Sequence, residues 1–215
     1  IQSSGYQNKP IVYTSYTPGP KPVITSAGSD LIVISNHQYV VIDGLELTDK
    51  LMNPLDHIVQ STIDYGILLV NAPNCAIINC NISLVGIGIA IQIGSDFTTI
   101  TGNYIFNLRA IRNTVGGSDD YGANGLVIGS SSNSVFRNRI ETCWSSSYDF
   151  GSLGGAIEFF NPNVNNNSVL YNSIINCDGF VEIGGASSGN ATNNLFAYNK
   201  IINSGIAANI HNKIN

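Results

Sequence analysis

Two glutamates stand out chemically. Glu158 in AIEFF and Glu182 in FVEIGG each interrupt an apolar run, in a 215-residue chain with 14 acidic residues. Retaining glycosidases hold two carboxyl groups ~5–5.5 Å apart, one to donate a proton and one to attack the sugar. Such closeness also splits the titration of the pair, so that one member stays protonated while the other is ionised. More acids and aromatics gather in GGSDDYGAN and in the stretch from Trp144 through SSSYDFGSLGG. Asp119, Asp120, Tyr121, Trp144, Tyr148 and Asp149 are therefore candidate substrate-binding residues. Aromatic rings stack on the apolar faces of sugars, and carboxylates accept hydrogen bonds from hydroxyl groups. The same residues also have a purely structural reading: two solvated glutamates on a strand face, and aspartates in turns that favour them.

The elements that would position these groups follow from an internal repeat. Segments beginning at Leu31, Gly66, Gly88, Gly125, Gly155 and Phe180 align, each running from an alternating strand to an N-x-I core. PVITSAG and GIAANI look like partial coils at the two ends. Each unit reads as a strand, a polar turn, a second strand, an Asn corner and a short third strand. This predicts an all-β, right-handed parallel β-helix of about seven coils with three strands per coil, one domain over residues 1–215. The chain opens at Ile1 without an initiator Met, as expected of a processed chain or part of a longer one. In register, Ile82, Ile105, Ile140, Ile174 and Ile201 would form an inward aliphatic column. Asn103, Asn138, Asn172 and Asn199 would occupy a left-handed corner and form an amide ladder, with a second Asn set at Asn107, Asn176 and Asn203. An antiparallel sandwich also has short strands and frequent turns, but gives no reason for such columns.

A regular coil closes in roughly 22–25 residues, so longer connections carry information. Thr48–Tyr65, Leu108–Asn124 and Trp144–Gly154 are long, and all fall between a third strand and the next first strand. They should overhang the first sheet, where insertions commonly mark a binding face. On that sheet the alignment puts Leu69, Gln92, Val127, Glu158 and Glu182 in one outward column. It puts Ile91, Leu126, Ile157 and Val181 on one side, and Ile93, Ile128, Phe159 and Ile183 on the other, all facing inward. Stacking like charges costs energy, so a purely structural role leaves the Glu158–Glu182 pair unexplained.

Composition narrows the partners. With net charge −5, a pI near 4.9 and nine scattered basic residues, nucleic acid is disfavoured. No apolar run reaches the ~18–20 residues that span a bilayer. Low charge, abundant Asn, Ser, Thr and Tyr, and sequons at Asn81, Asn166 and Asn190 suggest a secreted or cell-surface protein. Cys75, Cys80, Cys143 and Cys177 lack C-x-x-C spacing, which argues against zinc. Cys143 and Cys177 share a column, where either a disulfide or stacked thiols would fit.

GAIEFF and GFVEIGG resemble the two-coil catalytic arrangement of a β-helix β-xylosidase family, within the broader class of right-handed β-helix carbohydrate-active proteins. The resemblance implies glycoside hydrolysis of a polysaccharide or oligosaccharide without a cofactor, Glu158 acting as nucleophile and Glu182 as acid/base. That family uses Asp where this chain has Glu158, and carries a second β-rich domain not found in this sequence. Two other functions fit the same scaffold. A polysaccharide lyase or uronate epimerase would need cations, for which Arg109, Arg112 and His57 are placed near the insertions, or Ca²⁺ bound by Asp119, Asp120 and Asp149. A non-catalytic adhesive or fibre-forming β-helix would self-associate end to end through the strand edges of its end coils.

Overall fold

The computed structural model describes residues 1–161, 163–184 and 191–210. Its main framework is three seven-stranded sheets, each parallel throughout, which makes it a right-handed parallel β-helix. The first sheet runs from Ile32–Ser35 through Tyr65–Val70, Ile87–Ile91, Asn124–Ile128, Gly155–Phe159 and Gly179–Ile183 to Ile206–Ile210. The second runs from Ile11–Tyr13 to Leu195–Ala197, and the third from Val23–Ile24 to Lys200–Ile202. Ile1 and the turns before Ile32 complete the N-terminal part-coil, and Ile206–Ile210 begins another at the far end.

The interior is a set of stacked columns. Ile82, Ile105, Ile140 and Ile174 are in register and fully buried, with Leu47 before them and the partly exposed Ile201 after them. Opposite the middle of this column the chain has only small residues, Gly66, Gly88, Gly125 and Ala156, with Leu31 before them and Phe180 after them. A Cβ at Gly88 would lie 2.6 Å from both Ile105 Cγ2 and the Gly125 carbonyl. The same close approach explains glycine at Gly66 and Gly125, whereas Gly155 sits one place earlier, in register with Asn124.

The corner asparagines also stack. Asn103 Nδ2 donates to Asn138 Oδ1, Asn138 Nδ2 to Asn172 Oδ1, and Asn172 Nδ2 to Asn199 Oδ1, each at 3.0 Å. Each Oδ1 also accepts the backbone N–H of the preceding coil's Asn. The left-handed residue is not this Asn but the one before it: Gly102, Arg137, Tyr171 and Tyr198 all have φ between 56° and 68°. The Asn itself bends back into the corner to satisfy buried backbone groups. At the next corner Asn107, Asn176 and Asn203 do take the left-handed conformation. A further column, the buried Asn133 and Asn167 followed by the half-buried Asn194, closes the remaining corner, each Oδ1 of the next coil accepting the preceding Asn N–H, while Asn133 Nδ2 donates to Ser130 Oγ.

Cys75, Cys80, Cys143 and Cys177 are buried free thiols. Burial, followed by the neighbouring Cys177 thiol, pushes Cys143 well above the ordinary thiol value. Of the sequons, Asn81 accepts a hydrogen bond from Lys21 Nζ at 2.7 Å and Asn166 is exposed at a left-handed corner, while Asn190 lies outside the described residues. No helix among the described residues is long and apolar enough to cross a membrane.

Replacing Asn138 by Ala strands the N–H groups of Asn103 and the Ile100 carbonyl in the interior. Each buried unsatisfied group costs about 1–3 kcal/mol, so Asn138→Ala should lower stability in urea by about 3 kcal/mol or more. Ile201→Ala, at a site 41% exposed, should cost about 1 kcal/mol or less.

Candidate active site

Glu158 and Glu182 are register partners on adjacent first-sheet strands, which places their Cα atoms one strand spacing apart, ~4.8 Å. The full outward column is Val33, Leu68, Ala90, Val127, Glu158, Glu182 and Asn209. Two positions therefore differ from the sequence alignment. Leu68 and Ala90 stand where the alignment puts Leu69 and Gln92; Leu69 instead faces inward and is fully buried, as Ile91 does in agreement with the alignment. Gln92 lies beyond the strand and Ile93 is 66% exposed in the turn. The alternation I-A-I-Q-I continues past the end of the strand, so the pattern reads one repeat too far. Counted from Gly66, Gly88 and Gly125, the outward residue is always two positions on.

The insertion Leu108–Asn124 covers the middle of this outward face. Ala90 and Val127 are buried beneath it, in a cluster with Ile87 against which Tyr65, Leu68 and Ile111 pack. Glu158 is the next residue of the column, half-buried at the margin of that apolar cover, whereas Glu182 is exposed. Burial pushes the Glu158 pKa up, the negative charge of Glu182 adds to the rise, and a hydrogen bond from Asn124 Nδ2 opposes it. The outcome is about 7, so Glu158 holds a proton up to neutral pH. Asn124 carries no catalytic signature in sequence. Its place at the start of the strand before Glu158 is the one hint, since simple alternation with the buried Leu126 would turn it inward.

A cleft of about 550 Å³ opens over the pair. Asp120, Tyr121 and Asn124 line one part of it, and Phe150, Asp178 and Asn209 another. Of the six loop residues read from sequence, Asp120 and Tyr121 line this cleft.

The other loop residues knit the three insertions together. Ala110–Arg112 pairs with Tyr121–Gly122, and Ser145–Ser147 with Gly151–Leu153, as small antiparallel hairpins. Trp144 is stacked flat on His57, ring centroids 4.0 Å apart, and so joins the first insertion to the third. Tyr148 is exposed, and its backbone N–H is held by Asn113. Asp119 pairs with Arg112, and Asp149 accepts from the Asp119 N–H at 2.9 Å. Asp120 is buried and accepts from the Thr114 N–H, the Ser147 hydroxyl and the Asp149 N–H. Burial alone would raise its pKa, but these hydrogen bonds together lower it.

The oxygens of Asp119, Asp120 and Asp149 lie within 4.8 Å of one another, and the loops' own N–H groups, hydroxyls and Arg112 already engage them. Arg109 is fully buried, donating to the carbonyls of Leu108 and Pro54. The cations that suggested uronate chemistry thus serve the scaffold: Arg109 lies under the insertions, Arg112 is ion-paired and His57 is stacked under Trp144. Burial lowers the His57 pKa, the Trp144 carbonyl opposes that, and Arg109 reinforces it.

No family model and no curated protein matches the chain. Among solved structures it is similar to an alginate lyase from Paenibacillus sp. str. FPU-7, 14% identical over 95% of this chain and 86% of that one, with a TM-score of 0.48. A likeness of that level assigns neither substrate nor reaction.

Because the folded Asp120 pKa lies below the unfolded one, its contribution to stability is present above the ordinary Asp value of about 3.9 and is lost as pH falls through the lower folded value. Trp144, the only Trp, reports on the clasp. Its emission should shift to longer wavelength in acid in the wild type. In Asp120→Asn it should already be shifted at neutral pH, with a smaller acid step.

Proposed function

We propose that the protein is a glycoside hydrolase with Glu158 as proton donor and Glu182 as its carboxylate partner. The observation that carries this reading is the half-buried Glu158, with a pKa of about 7, stacked in register on Glu182 at the floor of an open cleft. A general acid works best when its pKa is near the operating pH. In the first step Glu158 would give its proton to the glycosidic oxygen as the bond to the anomeric carbon breaks, and a Glu182 oxygen would form the new bond to that carbon. In the second, Glu158 would take a proton from water, whose oxygen displaces Glu182. One strand spacing, ~4.8 Å at the backbone, is nearer to the ~5–5.5 Å of retaining enzymes than to the ~6.5–9.5 Å of inverting ones.

This assignment exchanges the roles implied by the β-xylosidase resemblance, because the apolar cover lies over Glu158 and the open cleft over Glu182. No metal enters the proposed steps. Among the described residues, the charged groups lining the cleft are the acids Asp120, Glu158, Asp178 and Glu182, which favours a substrate other than a polyuronate.

Incubation with a glycan panel should release reducing ends without the ultraviolet absorbance of unsaturated uronates. Glu182→Gln should lower kcat by about 10²–10⁴-fold on every substrate. Glu158→Gln should do so on natural glycans, whereas aryl glycosides whose leaving group needs no protonation should still react in the first step, giving a burst of released leaving group followed by slow hydrolysis of the glycosyl–Glu182 intermediate. The wild-type rate on natural glycans should fall as pH rises through about 7, as Glu158 loses its proton. Unsaturated products would point instead to a lyase, and a folded protein inactive on every glycan to a structural role.

A further inference from the structure

The outward face of the first sheet changes character one strand before Glu158. Toward the N-terminal coils its column is Val127 and then Ala90, both buried under Ile111 and Tyr65. Beside this covered stretch, on an apolar floor of Val127, Ile87 and Tyr65, lies a second hollow of about 220 Å³. Two aromatic side chains flank it from opposite ends of the strands. Tyr121 comes from the hairpin that precedes strand Asn124–Ile128 and is 51% exposed. Phe160 follows strand Gly155–Phe159 and is 47% exposed. Gln92 contributes an amide at the Phe160 side, and Glu158 is the only charged residue lining the hollow among those described. Tyr121, Gly122, Asn124 and Glu158 border both this hollow and the carboxylate cleft, so the two are continuous along the solenoid axis.

Large exposed aromatic rings held by strand ends are rigid platforms with little ordering entropy to lose on binding. An apolar floor, two ring faces and neutral amides do not compensate a charged ligand, whose desolvation would go unmatched. They do match a pyranose, which offers apolar C–H faces and a rim of hydroxyl groups. We infer that this hollow is a subsite for neutral pyranose residues of a chain that runs along the solenoid axis and crosses Glu158 and Glu182. The inference rests on the hydrolase reading for the position of the scissile bond, and adds the substrate class: an uncharged polysaccharide rather than a polyuronate.

Binding and turnover separate the two claims. The Glu182→Gln protein is titrated calorimetrically with hexasaccharides of β-1,4-linked xylose, glucose and mannose, and with hexagalacturonate. At least one neutral hexasaccharide should bind more tightly than hexagalacturonate. Adding Tyr121→Ala and Phe160→Ala should weaken that binding about tenfold or more, equivalent to the loss of two ring contacts. Phe160→Trp should preserve it. Both positions are exposed, and circular dichroism checks that the fold is kept. Unchanged binding after removal of both rings, preferred binding of hexagalacturonate, or no neutral ligand at all would overturn the subsite. If the wild type hydrolyses a glycan whose binding ignores both rings, hydrolysis stands and the subsite falls. If a neutral hexasaccharide binds through the rings but is never cleaved, the subsite stands and hydrolysis falls.

Discussion

Parallel strands in register, one coil above another at ~4.8 Å, place each residue directly on its counterpart in the next coil. Everything else in the molecule answers to that constraint. Where the stacked residues are aliphatic, as in the Ile82–Ile174 column, they fill the interior of the coil. Where they are asparagines, each side-chain amide joins its neighbours in a continuous run of hydrogen bonds and satisfies the corner backbone. Where they are carboxylates the same geometry opposes stability, since like charges one strand apart repel. Glu158 and Glu182 are the place where the repeat brings together two groups that would otherwise avoid each other.

That repulsion is resolved by environment, not by distance. The insertion after Leu108 folds over Ala90 and Val127 and leaves Glu158 half-buried at the margin of its cover. Glu182, one coil further, stands clear of it. Two chemically identical side chains on one column are thereby made different, and the buried one carries the proton. The insertions can hold this cover because they are tied to one another by the His57–Trp144 stack and by the acceptors of Asp120. Acids and rings outside the cleft thus contribute by fixing the loops that shape it.

The periodic part of the structure was legible from the residues and the aperiodic part was not. Columns repeat, so the Ile and Asn stacks and the Glu158–Glu182 pairing emerge from alignment alone. Errors arise where the period meets an edge. The pattern through Gln92 and Ile93 alternates past the last strand residue, and the asparagines in the run at Asn165–Asn167 conceal which of them enters the buried column. The left-handed corner residue varies among Gly, Arg and Tyr, so composition points to the conspicuous Asn one place later. Insertions do not repeat, and nothing in their sequence separates an aspartate that accepts backbone N–H groups from one that meets a ligand. Asn124 and Phe160 escaped for a related reason: one is the first residue of its strand and the other follows the last, where the inward and outward alternation no longer says what a side chain faces.

Carbon-detected nuclear magnetic resonance titration of the glutamate carboxyl groups tests the central claim most directly. Glu158 should titrate with a midpoint of about 7 in the wild type, and the midpoint should drop when Glu182 is replaced by Gln, because one of the two forces raising it is gone. A Glu158 midpoint in the ordinary glutamate range of about 4.3, unchanged by Glu182→Gln, would contradict the account.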